Sequence, residues 1–192
     1  MKSLLVVGCL LFEKVCVVSV VLGVLGVRLW VFLGSVDCVE RGVFVMRVLA
    51  IDPGTNCGFA HSCGLSGTWD LSVRRDESSG MRLIRLRGKL NEIKASCGVD
   101  LLVFESARNG KFANAVKVAG AIQGAMEVWA IDCGVEYRGY SPSEIKKFAT
   151  GKGNCGKGEM VSGAQVKWPG LKIEDDNHAD ALWLLSLCEG SL

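Results

Sequence analysis

The chain has no excess of charge of either sign: 22 Lys and Arg face 20 Asp and Glu, a formal net charge of +2. No global pull towards nucleic acid follows, so any such binding must come from local basic patches. The nine cysteines include no Cys-x-x-Cys pair and no Cys/His cluster in sequence. That argues against a zinc site or a disulfide framework, and for reduced, mostly buried thiols in a cytosolic compartment. The Gly-x-x-x-x-Gly-Lys-Ser/Thr phosphate loop is also missing. A length of 192 residues leaves room for one substantial core and little more.

What is present is unevenly spread. The hydrophobic share of 49% is high, and the excess lies in residues 1–45, which are dominated by Val, Leu and Gly. Residues 46–192 have the composition of an ordinary globular domain. Val15–Gly34 is apolar except for Ser19 and Arg28, close to the length that spans a bilayer. It reads as a membrane anchor, as an uncleaved signal-like segment, or as an upstream extension outside the working protein. Val and Gly are poor helix formers, and Arg28 inside a span would cost roughly 2.5–3.5 kcal/mol. The extension reading is preferred, with the domain starting at Met46 and membrane contact only if residues 15–34 are an anchor.

The domain is organised around Arg47-Val-Leu-Ala-Ile-Asp-Pro-Gly-Thr-Asn-Cys-Gly-Phe-Ala60. An aliphatic strand delivers Asp52 at its end, Pro53-Gly54 turns the chain, and Asn56–His61 forms a second strand. A third strand around Thr68–Ser72 completes an antiparallel meander. Leu83, Leu86, Leu90, Ile93 and Cys97 then mark the buried stripe of a helix, with Arg82, Arg85 and Lys89 as a solvated face. Leu101-Leu-Val-Phe-Glu105 reads as a central strand covered on both faces, and it too ends in a carboxylate. Neighbouring strand ends in an α/β sheet open onto one crevice, where ligands bind.

Lys111–Asp132 reads as a long helix whose Gly120, Ala121, Gly124 and Ala125 suit either close packing on the sheet or a subunit contact. Val135–Tyr140 is a further strand, and Ser141-Pro-Ser-Glu opens a helix with Ser as N-cap and Pro at the first position. Lys146–Lys157 holds four lysines among small residues and no acid. Such a run neutralises phosphate without reading sequence; the plain alternative is a flexible basic linker. In the closing Glu174–Leu187 helix, capping accounts for Asp175 but not for Asp180, one turn in. Asp176 and Asp180, spaced i and i+4, share a face.

Carboxylates converging from two strand ends and a helix would repel one another and take up protons unless divalent cations sit between them. Hard oxygen donors suit Mg²⁺ or Mn²⁺. Two such ions about 4 Å apart can serve phosphodiester cleavage.

The segments Ala50-Ile-Asp-Pro-Gly-Thr-Asn-Cys-Gly, Phe104-Glu105, Tyr140-Ser-Pro-Ser-Glu-Ile-Lys-Lys, Thr150-Gly-Lys-Gly-Asn and His178-Ala-Asp-Ala-Leu together resemble the RuvC-type Holliday junction resolvases, particularly the phage-encoded branch. The resemblance covers Met46–Leu187 in order. It implies an α/β ribonuclease H-like fold, with a mixed five-stranded sheet flanked by helices. It further implies a homodimer that nicks branched DNA with two Mg²⁺ ions, needs no small-molecule cofactor, and works in the cytoplasm of a bacterium or phage-infected cell. Asp52, Glu105 and Asp180 match the family's metal ligands. Where the family carries an acid or His three residues before the last Asp, this chain has Asn177, so Asp176 is the expected fourth ligand, with His178 as substitute. Arg108 stands where some members carry an aromatic wedge, and Phe112 is the nearest aromatic. Arg108, Lys146, Lys152 and Lys157 are the expected DNA contacts. Two alternatives are a catalytically silent nucleic-acid-binding relative and an actin- or sugar-kinase-like ATP-binding protein, whose first phosphate loop also reads Asp-x-Gly-Thr.

Overall fold

The computed structural model describes residues 5–12, 15–21, 28–33, 46–106 and 113–192. The chain divides into two compact units, Met1–Val45 and Met46–Leu192. In the first, β1 (Leu5–Phe12), β2 (Val15–Val21) and β3 (Arg28–Leu33) form an antiparallel sheet in that order. The apolar stretch that could be read as a span is therefore strand at both ends. Branched Val residues, stiff at χ1, favour that outcome over a helix. Among the described residues no helix is long and apolar enough to cross a membrane.

In the second unit, β4 (Val48–Asp52), β5 (Asn56–His61), β6 (Ser66–Asp70), β7 (Leu101–Glu105) and β8 (Glu136–Tyr140) form one sheet. Its order is β6-β5-β4-β7-β8. The meander strands pair antiparallel, and β4–β7 and β7–β8 pair parallel. β6 starts two residues earlier than the Thr68 expected, because the turn after β5 is tight and Ser66 already pairs with Ala60. The described residues form five helices: α1 (Met81–Cys97) between β6 and β7, α2 (Ala113–Cys133) before β8, and then α3 (Pro142–Thr150), α4 (Lys157–Lys167) and α5 (Asp176–Glu189).

Strand alternation sorts the core into two layers. Leu49, Ile51, Leu102 and Phe104 pack with Leu86, Leu90, Ile122 and Met126 of α1 and α2. Val48, Ala50, Leu101 and Val103 face Ile145, Met160, Ala164, Ala179 and Leu184 of α3, α4 and α5. Burying one such side chain is worth roughly 1.5–3 kcal/mol, so both layers hold the central strands. The same period of two puts Asp52 and Glu105, next in line after Ala50 and Val103, on the face covered by α5.

The cap of α3 is as expected. Ser141 Oγ accepts from the Glu144 N–H (3.2 Å) and Glu144 Oε2 from the Ser141 N–H (2.8 Å), with Pro142 at the first position. α4 is a helix that the lysine–glycine run concealed. Its N-cap, Gly156, has no side chain to signal the start, although Glu159 Oε2 accepts from the Gly156 N–H (2.8 Å), and only Met160 and Ala164 bury fully, too few to show a stripe. The basic stripe of α1 is engaged at home: Arg82 Nε donates to Leu71 O (3.0 Å), and Arg85 Nη2 to Glu77 Oε1 (2.7 Å).

Candidate active site

Asp52 ends β4 and Glu105 ends β7, and the parallel register Ile51↔Phe104 brings these ends side by side. Helix α5 supplies Asp176 and Asp180. It approaches this closely because Gly58, paired with Asp52 across the β4–β5 ladder, has no side chain. A Cβ there would overlap the Asn177 carbonyl. The helix start is anchored to β6 as well. Asp175 is its N-cap, accepting from the His178 N–H (2.8 Å) and from Thr68 Oγ1 (2.8 Å), while Glu174 Oε2 accepts from the Thr68 N–H (2.9 Å).

The electrostatics record the crowding. Burial first, then the charges of Glu105, Asp180 and Asp176, hold the Asp52 carboxyl well above its ordinary range, and Lys157 offsets part of this. Burial and Asp176 push Asp180 up to about 6 against the pull of Lys146 and Lys157. Asp180 Oδ1 is buried and has no hydrogen-bond partner, although a buried carboxylate oxygen ordinarily finds one. No three of these carboxylates bring oxygens within 4.8 Å of one another. Lys157, at the start of α4, bonds Asp176 Oδ2. Asp176, Asp180 and Asp52 together raise its own pKa.

The structure thus brings Asp52, Glu105, Asp176 and Asp180 together and leaves His178 apart. That imidazole is buried. Its Nδ1 accepts from the Glu174 N–H (3.2 Å), and the charges acting on it are those of Glu174 and Asp175. Lys146 lies in α3, near enough to Asp180 to lower its pKa. Lys152 is exposed in the α3–α4 connection. Arg108 and Phe112 lie outside the described residues. Two features escaped sequence reasoning. One is Gly58, whose motif was visible but whose role needs the contact across to α5. The other is a His61, Cys63 and Cys97 cluster, which corrects the expectation of no Cys/His grouping. The His-x-Cys spacing carried half of that signal, and Cys97 joins it only through the fold.

The donor set fits a hard divalent ion: four carboxylates, one with an orphaned buried oxygen, on rigid elements. No family model matches the chain. The chain is similar to the crossover junction endodeoxyribonuclease RuvC of Rhodospirillum rubrum, with 30% identity over 151 residues, 74% of this chain and 88% of that protein. It is also similar to the protein of the same name from Cereibacter sphaeroides, with 29% identity over 144 residues, 71% of this chain and 85% of that protein. Among solved structures, Thermus thermophilus RuvC superposes with a TM-score of 0.60, and the same protein in complex with a Holliday junction substrate with 0.61. Each comparison has 20% identity and covers 74% of this chain and 92% of the other. The fold is thereby the ribonuclease H-like fold of RuvC. With that extent of shared sequence, and with the strand-end and last-helix acids gathered at one crevice, the chain belongs to the RuvC family of crossover junction endodeoxyribonucleases.

Proposed function

We propose that this chain is a divalent-metal-dependent endonuclease that resolves Holliday junctions or related branched DNA by phosphodiester hydrolysis. The observation that carries the reading is the convergence of Asp52, Glu105, Asp176 and Asp180 with an unpartnered buried oxygen on Asp180. These four would hold Mg²⁺ or Mn²⁺, two ions per site. When bound, the ions activate water and stabilise the leaving oxygen. The protein's own share is positional. Parallel strand ends fix Asp52 and Glu105, the Asp175 cap and the Gly58 contact fix Asp176 and Asp180, and Lys157 balances charge until phosphate arrives. Asp176, and not His178, is the fourth ligand in this reading, because it faces the other acids.

Lys146 and Lys157 flank the carboxylates and Lys152 is exposed nearby, so all three suit phosphate contacts that position DNA without reading its sequence. Arg108 is proposed as a further contact. The working protein is a homodimer in this reading. α2 presents Gly120 and Gly124 with open space beside them, followed on the same face by exposed Val128 and Ile131. Small residues of this kind admit a second helix at close range. Met46–Leu192 carries the activity, residues 1–45 are dispensable, and the activity operates in the cytoplasm. The test is a labelled four-way junction incubated with purified protein, with and without Mg²⁺. Paired nicks that require the metal are expected; intact junction under saturating protein and Mg²⁺ would refute the nuclease reading.

A further inference from the structure

The opposite end of the sheet holds a second grouping that the nuclease reading does not use. Cys63 follows β5, and Cys97 ends α1, 34 positions later. Their Sγ atoms lie 2.9 Å apart, and Cys63 is the more exposed. The imidazole of His61, which is buried, ties the two backbones together. Its Nδ1 accepts from the Cys63 N–H (2.9 Å), and its Nε2 donates to the carbonyl of Gly98, the residue after Cys97 (2.9 Å). Gly98 turns the chain with φ +71° under the Arg47 guanidinium, and Arg47 in turn pairs with Asp100 (Nε to Oδ2, 2.8 Å). Ser62 is bonded both ways to Val48, its N–H to Val48 O (3.0 Å) and its Oγ from the Val48 N–H (3.1 Å). Both thiols are therefore carried on braced segments and aimed at each other.

We propose that Cys63 and Cys97 form a reversible intramolecular disulfide when the protein meets a two-electron oxidant of the peroxide class, clamping the end of β5 to the end of α1. A metal fits the cluster less well, because both ring nitrogens of His61 already hold backbone partners. The sulfurs would also have to separate to bind one ion at about 2.3 Å each in tetrahedral geometry. The chemistry balances. The Cys63 thiolate attacks peroxide, the O–O bond breaks, and sulfenic acid and hydroxide result. The Cys97 thiolate then attacks the Cys63 sulfur, forming the S–S bond and expelling a second hydroxide. The two thiol protons convert both hydroxides to water, and two electrons have passed from sulfur to peroxide. Burial and the contact with Cys97 raise the Cys63 pKa, so closure is slow and suited to sustained oxidation.

The experiment uses the full-length reduced protein, treated with hydrogen peroxide, capped with an alkylating agent and mapped by mass spectrometry. The expected product is a Cys63–Cys97 linked peptide lighter by two hydrogens and reopened by dithiothreitol. The thermal midpoint should rise by about 3–10 °C on closure, as expected when a loop of this length is cross-linked. Cys97→Ser should instead trap Cys63 as sulfenic acid, with no rise. Absence of the linked peptide, links between chains only, or an unchanged midpoint each overturn the proposal. So does one equivalent of Zn²⁺ that shields both thiols from alkylation.

Discussion

Gly58 stands directly across the β4–β5 ladder from Asp52, and the Asn177 carbonyl of α5 occupies the space a side chain at Gly58 would need. One missing Cβ thus sets how closely the helix carrying Asp176 and Asp180 approaches the strand carrying Asp52. Gly58→Ala should push α5 away and cost about 1–3 kcal/mol of stability, the usual penalty for overpacking. Junction cleavage at a temperature where the variant is fully folded should fall at least tenfold. A variant with parental stability and rate would show that the contact is slack.

Asp52→Asn, Glu105→Gln and Asp180→Asn each remove a metal-binding charge at nearly constant volume. Nicking should drop by orders of magnitude while circular dichroism and junction binding in EDTA stay unchanged. Asp176→Asn should be as severe, and His178→Ala should lower stability more than turnover, since its ring is buried against Glu174 and Asp175. Asp175→Asn should be mild in rate, because that side chain caps the helix. Parental nicking by Asp52→Asn would dismantle the assignment of the whole site.

The lysines separate into two kinds. Lys152→Ala should weaken junction binding and reduce the salt slope by about 1, with turnover on saturating DNA unchanged. Lys157→Ala removes the cation bonded to Asp176 and felt by Asp52 and Asp180. It should lower turnover as well, and should raise metal affinity in the absence of DNA. Isothermal titration with Mn²⁺ and single-turnover cleavage distinguish the two; identical behaviour of both variants would return the segment to a uniform basic tether.

Much of this is legible in the sequence. Aliphatic strands that end in Asp52 and Glu105 announce themselves, because a carboxylate at the end of an apolar run needs a reason. Strand alternation then fixes which face each acid takes. The Ser141 capping box is equally local. What stayed hidden depends on contacts between distant segments. α4 buries Met160 and Ala164 among glycines and lysines, so its periodicity is faint. Spacing puts Asp176 on the same face as Asp180, four positions apart, and favours it over His178, but only the packing of α5 on β5 shows that this face turns to the crevice. Cys97 meets Cys63 through the length of α1, which no local pattern reports.

The division at Val45/Met46 gives a direct test of the N-terminal segment. Protein beginning at Met46 should express in soluble form, unfold cooperatively and cleave junctions at the full-length rate, because both core layers and all four acids lie within it. Loss of folding in that truncation, with the full-length protein well behaved, would show that residues 1–45 are needed for structure.

The acid cluster also predicts a pH dependence of stability in the metal-free protein. Asp180 titrates at about 6 in the fold against an ordinary 3.8. Between those values the folded chain holds a proton that the unfolded chain has released, so stability falls as pH rises through the window. The loss is complete above pH 6, at roughly 3 kcal/mol as an upper bound, and Asp52 acts in the same direction. His61 and His178, both held below their ordinary value by burial, pull the other way: their contribution is lost as pH falls through the ordinary imidazole range. A comparison of parent with Asp180→Asn cancels the histidines, which are common to both. In EDTA the variant should melt above the parent at pH 7.5, and the two should converge towards pH 4.5. Saturating Mg²⁺ should erase the advantage at pH 7.5, because the ion supplies to the parent the compensation that the amide gives the variant. A variant no more stable than its parent in EDTA at pH 7.5 would mean that the carboxylates do not strain one another, and the electrostatic case for a metal at this crevice would fail with it.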